Sequence, residues 1–427
     1  MGFWNKWFGR KPSSPDMASP PGTPSLVKGD PREFFLAQVE QRLRARETTG
    51  TITRHENDFG LRVVISGREM SLFLHRLYAD TRELSPEDRE RAIDHFLTAL
   101  SKTPEKTRLT WEEARPRLRP VLRPVTFGQG IESAKPEHAM VGHDVLPFLR
   151  ELISIDYEDR AAYLQREEFE SWGVGFQEVL AAAHANLART VPLATEPYER
   201  VPGTIWSVES DQFHESSWLM RPGFLASFAK KVEGRPIAIV PDRTTLWIAG
   251  DAHPETVARL CESAEREYQA SARATSPALY TVDEELRVVP YELPPEDELA
   301  AQVRRGHVML AASEYKSQKD MLDQAKGGEE QGAFVANVSI VSPQGSQEAF
   351  TYCVWSEDLG TEGLLPEVDL VALGTTKEEV LLVPWPEVRR IVGDRLVAEP
   401  GLAPPRYRPT AWPTPEMFEH LRAAARK

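Results

Sequence analysis

Asp242 and Arg243 stand between two apolar runs in residues 237–251, IAIVPDRTTLWIAGD. An arginine at such a turn presents a planar fork of N–H donors that matches a carboxylate or a phosphate. Loops at strand ends commonly carry function, so this pair is the first candidate for a binding site. The plainer account is a hairpin turn shaped by Pro241 and Asp242, with Arg243 in a surface ion pair. A second polar group, Asp211, His214, Glu215, Ser216 and Ser217, sits just before an apolar stretch. Serine, imidazole and carboxylate are the types that nucleophilic catalysis uses. A triad is defined by three-dimensional geometry, however, and neighbours in one segment point apart. Helix capping by Asp211, Ser216 or Ser217 accounts for the same residues. The candidate binding residues are therefore Asp211, His214, Glu215, Asp242 and Arg243, and no catalytic residue is assigned.

Other chemistry finds less support. His138, His143 and Asp144 are the densest group of metal-ligand types. Five-residue spacing does not put both imidazoles on one helical face, and Asp144 reads as the N-cap of a helix. Gly173-Val174-Gly175 lacks a third glycine in register and reads as a turn between helices. The sequence has no phosphate-binding loop, no Gly-x-Ser-x-Gly elbow, no Cys-x-x-Cys and no His-Glu-x-x-His. No metal and no cofactor is expected. In residues 115–124, RPRLRPVLRP, the prolines deny a regular helix and predict an extended segment with its arginines held apart. Such a segment could grip an acidic partner or RNA; in a chain of net charge −14 it pairs more simply with the protein's own carboxylates.

The same charge argues against a general nucleic-acid binder, because affinity for phosphate backbones comes mainly from Lys and Arg. At 427 residues the chain is long enough for two or three domains. Two cysteines, Cys261 and Cys353, make no disulfide framework and fit reduced thiols in a cytoplasmic protein. No apolar run approaches the roughly 20 residues that span a bilayer. Residues 1–11 do pair Phe3, Trp4, Trp7 and Phe8 with Lys6, Arg10 and Lys11, a composition suited to a membrane interface. A short segment packed on the protein body is the plainer account.

The elements that must position these residues follow from periodicity. Residues 12–25 are Pro/Ser-rich and read as a linker. Asp30-Pro31 opens a helix with Leu36, Val39 and Leu43 on one face, and Ser85-Pro86 opens another with Ile93, Phe96, Leu97 and Leu100. Residues 51–65 read as two strands. Residues 145–152, 176–187 and 254–268 read as helices, and 204–208, 237–240 and 244–249 as strands. A boundary falls in the proline-rich 290–295. Beyond it a helix over 296–325 has a possible break at Gly306. Closely spaced strands at 334–341, 350–355, 368–373 and 380–383 suggest an antiparallel sheet. Thr414-Pro415 caps a terminal helix. The expected fold is α+β, with a mixed central sheet flanked by helices in residues 28–292. A flexible segment, 1–27, precedes it, and a C-terminal antiparallel β module with helices, 293–427, follows.

Several segments occur in a familiar order: LFLHRLY at 72–78, WEEA at 111–114, a helix ending HANLAR at 184–189, FHESSW at 213–218, VPDR at 240–243 and SPALY at 276–280. In this order, residues from about 30 to 292 resemble the YtpQ-like family of bacterial proteins of unknown function. At the turn Thr244 stands where the family's pattern has an acidic residue. The resemblance implies a fold and brings no activity, cofactor or partner. The leading expectation is a non-catalytic interaction or accessory protein of the cytoplasm whose partner is another protein. The rivals are a hydrolase or transferase assembled from the 211–216 and 242–243 segments, and a peripheral membrane protein.

Overall fold

The computed structural model describes residues 31–46, 51–54, 59–65, 68–74, 77–78, 81–82, 84–101, 108–129, 138–157, 161–190, 194–200, 202–209, 214–271, 273–325, 333–343, 348–357, 361, 363–374 and 380–426. The aromatic N-terminal segment, the linker stretch, the Asp30 cap and Asp211 lie outside the described residues.

The first unit sets helix α1 (Pro31–Arg46) and helix α2 (Pro86–Ser101) on an antiparallel meander of β1 (Thr51–Arg54), β2 (Gly60–Ile65) and β3 (Arg68–Phe73). Leu36, Val39 and Leu43 are buried as their spacing predicts, and they share one core with Ile52, Leu61, Val63, Ile93 and Leu97. The Ser85 hydroxyl accepts from the Asp88 N–H at 3.2 Å, which caps α2.

The second unit opens at α3 (Trp111–Ala114), where the Thr110 N–H donates to Glu113 Oε2 at 2.9 Å in a capping box. After one 3₁₀ turn the Arg-Pro run extends as β4 (Leu118–Pro124), as expected. It is followed by β5 (Gly142–Leu146), β6 (Leu149–Asp156) and β7 (Ala161–Tyr163), with β6 pairing all three of the others antiparallel. Residues 145–152, expected to be helical, are therefore a hairpin, and Asp144 lies in β5 rather than at a helix start. The cause is burial on both faces. Six of the eight β6 residues are buried, and they include the polar Glu151 and Ser154, so burial does not follow an apolar/polar alternation; Leu146, Leu149, Leu152 and Ile153 instead fall at helix-like spacing. The hairpin turns at Pro147-Phe148, and Phe148 takes φ 63°, a left-handed backbone unusual for a bulky side chain. Helices α4 (Arg166–Trp172) and α5 (Phe176–Arg189) follow, joined at Gly173 with φ 65°, the turn that the glycine pair predicts.

The central sheet comprises β8 (Ala194–Arg200), β9 (Thr204–Glu209), β10 (Pro236–Asp242), β11 (Trp247–Gly250), β12 (Ala274–Val282) and β13 (Val288–Pro290). Its order is β13-β12-β10-β11-β9-β8. On one face, helix α6 (Pro254–Ala270) buries Val257, Leu260, Cys261 and Ala264 against Ile237 and Ile239. On the other, Ala238, Val240 and Ile248 pack with Trp218 and Phe228 from two 3₁₀ segments, Glu215–Met220 and Leu225–Lys230.

Helix α7 (Ala300–Ala325) runs unbroken through Gly306. Glycine serves contact there and not a kink: a Cβ at that position would lie 2.4 Å from the Pro277 carbonyl oxygen of β12. The helix thus beds on the central sheet although it lies beyond the proline-rich boundary. It then carries the last unit, built from β14 (Phe334–Val335), β15 (Ser339–Val341), β16 (Phe350–Ser356), β17 (Gly363–Pro366), β18 (Leu370–Gly374), β19 (Val380–Pro384), α8 (Trp385–Val392), β20 (Leu396–Ala398), β21 (Arg406–Pro409) and α9 (Pro415–Ala424). Two sheets result, β14-β17-β21-β20 and β15-β16-β18-β19.

The α+β class is as expected, but strand direction is distributed differently. Every pair in the central sheet is antiparallel, because α6 carries the chain across β10 so that β12 lands antiparallel on its far edge. The parallel pairs, β14–β17 and β16–β18, are in the C-terminal unit. There β17 leaves for the other sheet, and the chain returns to run β18 alongside β16. Arg406, 0 % exposed, fastens this unit to α7. Its guanidinium donates to Gln318 Oε1 at 2.6 Å, the Ala336 carbonyl at 2.9 Å and the Tyr315 carbonyl at 3.1 Å. No helix among the described residues is long and apolar enough to cross a membrane.

Candidate functional site

The Asp242-Arg243 turn joins β10 to β11, and the hairpin chemistry is carried by Asp242. Its Oδ1 accepts from the Thr244 N–H and hydroxyl, both at 2.6 Å, and its Oδ2 accepts from the Ser271 hydroxyl at 2.6 Å. This is an Asx turn with a second anchor, and it leaves the carboxylate engaged with its own backbone. Arg243 is half-buried, and its carbonyl accepts from the Ser216 N–H at 3.2 Å. The two segments singled out by sequence are therefore brought together.

His214 and Glu215 enter from the start of the 3₁₀ segment and are buried, His214 to 4 % exposure. Ser217 seals the segment to the second unit, its hydroxyl accepting from the Leu122 N–H at 3.4 Å. His214 Nε2 lies 3.9 Å from Asp156 Oδ1, too far for a direct hydrogen bond. Burial pushes the His214 pKa below its ordinary value; Asp156 opposes this, and Arg243 and Arg123 add to it. The imidazole is held neutral.

β4 brings two arginines of the Arg-Pro run to the same place. Period-two alternation puts Arg119 and Arg123 on one face of the strand. Arg119 Nε reaches Asp156 Oδ2 at 3.3 Å, the internal carboxylate pairing expected for the Arg-Pro run. Arg123, 7 % exposed, donates from Nε to the Tyr163 hydroxyl at 2.8 Å and from Nη1 to the Leu122 carbonyl at 2.7 Å. Its guanidinium also lies over the Phe127 and Tyr163 rings, 5.5 and 5.8 Å from their centroids. Burial is the main force on Arg243, and its pKa falls to about 10; Arg123 and Arg273 press the same way, while Tyr163 and Glu215 oppose. Arg123 in β4 and Arg273 just before β12 thus both bear as like charges on the Arg243 turn.

Of the five sequence candidates, His214, Glu215, Asp242 and Arg243 meet here, and Asp211 lies outside the described residues. Arg119, Arg123, Asp156 and Tyr163 complete the group. The two arginines had a sequence signal in their strand spacing within the Arg-Pro run. Asp156 and Tyr163 had none, being single residues at the ends of other strands.

The chemistry of this centre is electrostatic. Among the described residues, Ser216 Oγ and His214 Nδ1 have no hydrogen-bond partner, so no nucleophile–base pair joins them. Cys261 and Cys353 are buried, and burial pushes both thiols up to about 12, leaving no thiolate at neutral pH. His138 and His143 turn to different partners, His138 Nδ1 to Gln165 Oε1 at 3.1 Å and His143 Nε2 to Glu151 Oε2 at 3.2 Å. His184 Nε2 approaches the same Glu151 at 3.2 Å. Burial pushes the Glu151 pKa up, and the two imidazoles outweigh it, so the carboxyl stays below its ordinary range. Among the described residues no group of three or more His, Cys, Asp or Glu side chains is arranged to hold a metal ion. The chain matches no family model, no curated protein and no solved structure.

Proposed function

We propose that this chain is a non-catalytic cytoplasmic binding protein that seats a carboxylate- or phosphate-bearing segment of a partner protein at the Arg243 turn. The observation that carries the reading is that Arg243, in a half-buried turn tied by its carbonyl to the Ser216 N–H, feels Arg123 and Arg273 as like charges. Like charges this close repel, and an anion placed among them relieves the repulsion while a guanidinium fork fixes its orientation. Asp156 and Glu215 offset part of the charge, and Asp242 is committed to Thr244 and Ser271. The lack of a Ser216–His214 hydrogen bond favours binding over hydrolysis. The YtpQ-like relationship over residues 30–292 belongs to the same proposal, carried by the order of the sequence segments. Affinity capture with the wild-type chain and with Arg243→Ala, run beside thermal melting of both, tests it. The variant should melt with the wild type and lose its captured protein. Equal capture by both would remove the turn from the reading.

A further inference from the structure

A cavity of about 590 Å³ opens between the second unit, α7 and the C-terminal unit, and none of the residues of the arginine centre lines it. Sites for small molecules commonly enclose roughly 300–1,000 Å³ and favour such junctions between units. Its apolar wall includes Val125, Phe148, Val308, Trp385 and Pro404. Phe148 is the residue with left-handed backbone, and its ring stands edge-on to Tyr315 at 5.8 Å. A bulky residue held in that conformation stores strain, and such residues cluster where ligands bind.

The charged groups on the same wall are unbalanced. Asp144, Glu367 and Asp369 face a single guanidinium, that of Arg304. Arg304 is bonded to Asp369, whose Oδ2 also accepts from the Thr351 N–H at 2.7 Å and hydroxyl at 2.8 Å. That pair is neutral and fixed. Glu367 accepts from the Tyr407 hydroxyl at 2.8 Å, a neutral donor, and Asp144 is exposed. His307 adds no positive charge, because burial pushes its pKa down. The cavity therefore joins an aromatic, apolar body to a surplus of carboxylate.

We propose that this cavity binds a small organic cation, an ammonium or guanidinium group carried on an aromatic or branched apolar body. The body is desolvated against Phe148, Val308 and Trp385. The cationic end faces Asp144 and Glu367, and aromatic rings favour a cation further. A carboxylate on the same skeleton meets like charge and is rejected.

Calorimetric titration of the intact chain tests this with phenethylamine and tryptamine against 3-phenylpropionate and indole-3-propionate. At least one amine should bind once per chain, about tenfold or more tighter than the acid of its own skeleton. Asp144→Asn should weaken that amine about tenfold while melting stays unchanged, since the side chain is exposed. Ala311→Phe, which fills the cavity, should abolish binding; if it fails to fold, Asp144→Asn carries the test alone. The proposal is overturned if neither amine binds at millimolar concentration. Acids that bind as well as the amines, or an amine indifferent to Asp144→Asn, would overturn it equally.

Discussion

Arg243 and Arg123 sit in one cluster and are held differently, so their substitutions should separate stability from binding. Arg243 is half-buried and feels Arg123 and Arg273 as like charges. Arg243→Ala should change unfolding free energy by no more than about 1 kcal/mol, because the lost contacts are offset by relief of repulsion. Arg123 is buried with two hydrogen bonds, and Arg123→Leu leaves the Tyr163 hydroxyl and the Leu122 carbonyl without that donor. It should cost about 1–3 kcal/mol in denaturant melts. The histidines add a pH dependence whose sign is fixed. His214 and His307 both have folded pKa values below the ordinary 6.5, so the unfolded chain binds more protons as pH drops through that value. Stability should therefore fall as pH drops through and below the ordinary 6.5, and His214→Gln should flatten the fall. A variant with an unchanged slope would show that His214 titrates as it does in the unfolded chain. Glu151 acts with the same sign in a lower window: its stabilisation is lost as pH falls below the ordinary 4.5.

At the scale of elements, the sharpest test is Gly306. An added methyl meets the Pro277 carbonyl, a backbone atom that cannot rotate away. Gly306→Ala gains helix propensity and should still lose about 1–3 kcal/mol through overpacking, read as a lower melting midpoint. Arg406→Leu should lose more, since it removes the shared donor of Gln318, Ala336 and Tyr315 in a dry interior, at about 1–3 kcal/mol for each acceptor left unmet. These elements differ in how far sequence reveals them. α6 was legible because one face is apolar and Pro254, whose fixed φ suits a helix start, stands at the first helical position. β10 was legible through its short apolar run ending in a turn. The β5–β6 hairpin was not, because β6 buries the polar Glu151 and Ser154 beside its leucines and isoleucines, and Leu146, Leu149 and Leu152 recur at helix-like spacing. Parallel pairing of β16 with β18 was not either, since it depends on where β17 goes and not on the residues of the pair. Gly306 reads locally as a helix breaker, and its packing role becomes visible only with β12 lying beneath it. The site followed the same division. Arg243 and His214 advertise themselves locally, whereas Asp156 and Tyr163 acquire meaning only when β6 and β7 are laid beside β4.

At the scale of the molecule, cores decide which pieces stand alone. Among the described residues, the core of the first unit draws on residues between Phe35 and Leu97 and shares none with the other cores. A chain of residues 108–427 should keep its own cooperative melting transition. A chain cut after residue 292 should not, because α7 supplies Val303 and Leu310 to the two cores of the central sheet. Melting both truncations by circular dichroism checks this, and a cooperative 1–292 fragment would contradict the bridging role of α7. The central claim, an anion seat at the Arg243 turn, is tested most directly by nuclear magnetic resonance of arginine side-chain Nε–Hε signals during titration with inorganic phosphate and with acetate. The account predicts that the Arg243 and Arg123 signals move together and saturate with at least one of the two anions, and that Arg243→Ala abolishes the Arg123 response. Signals that drift linearly with both anions, or an Arg123 response that survives in Arg243→Ala, would contradict it.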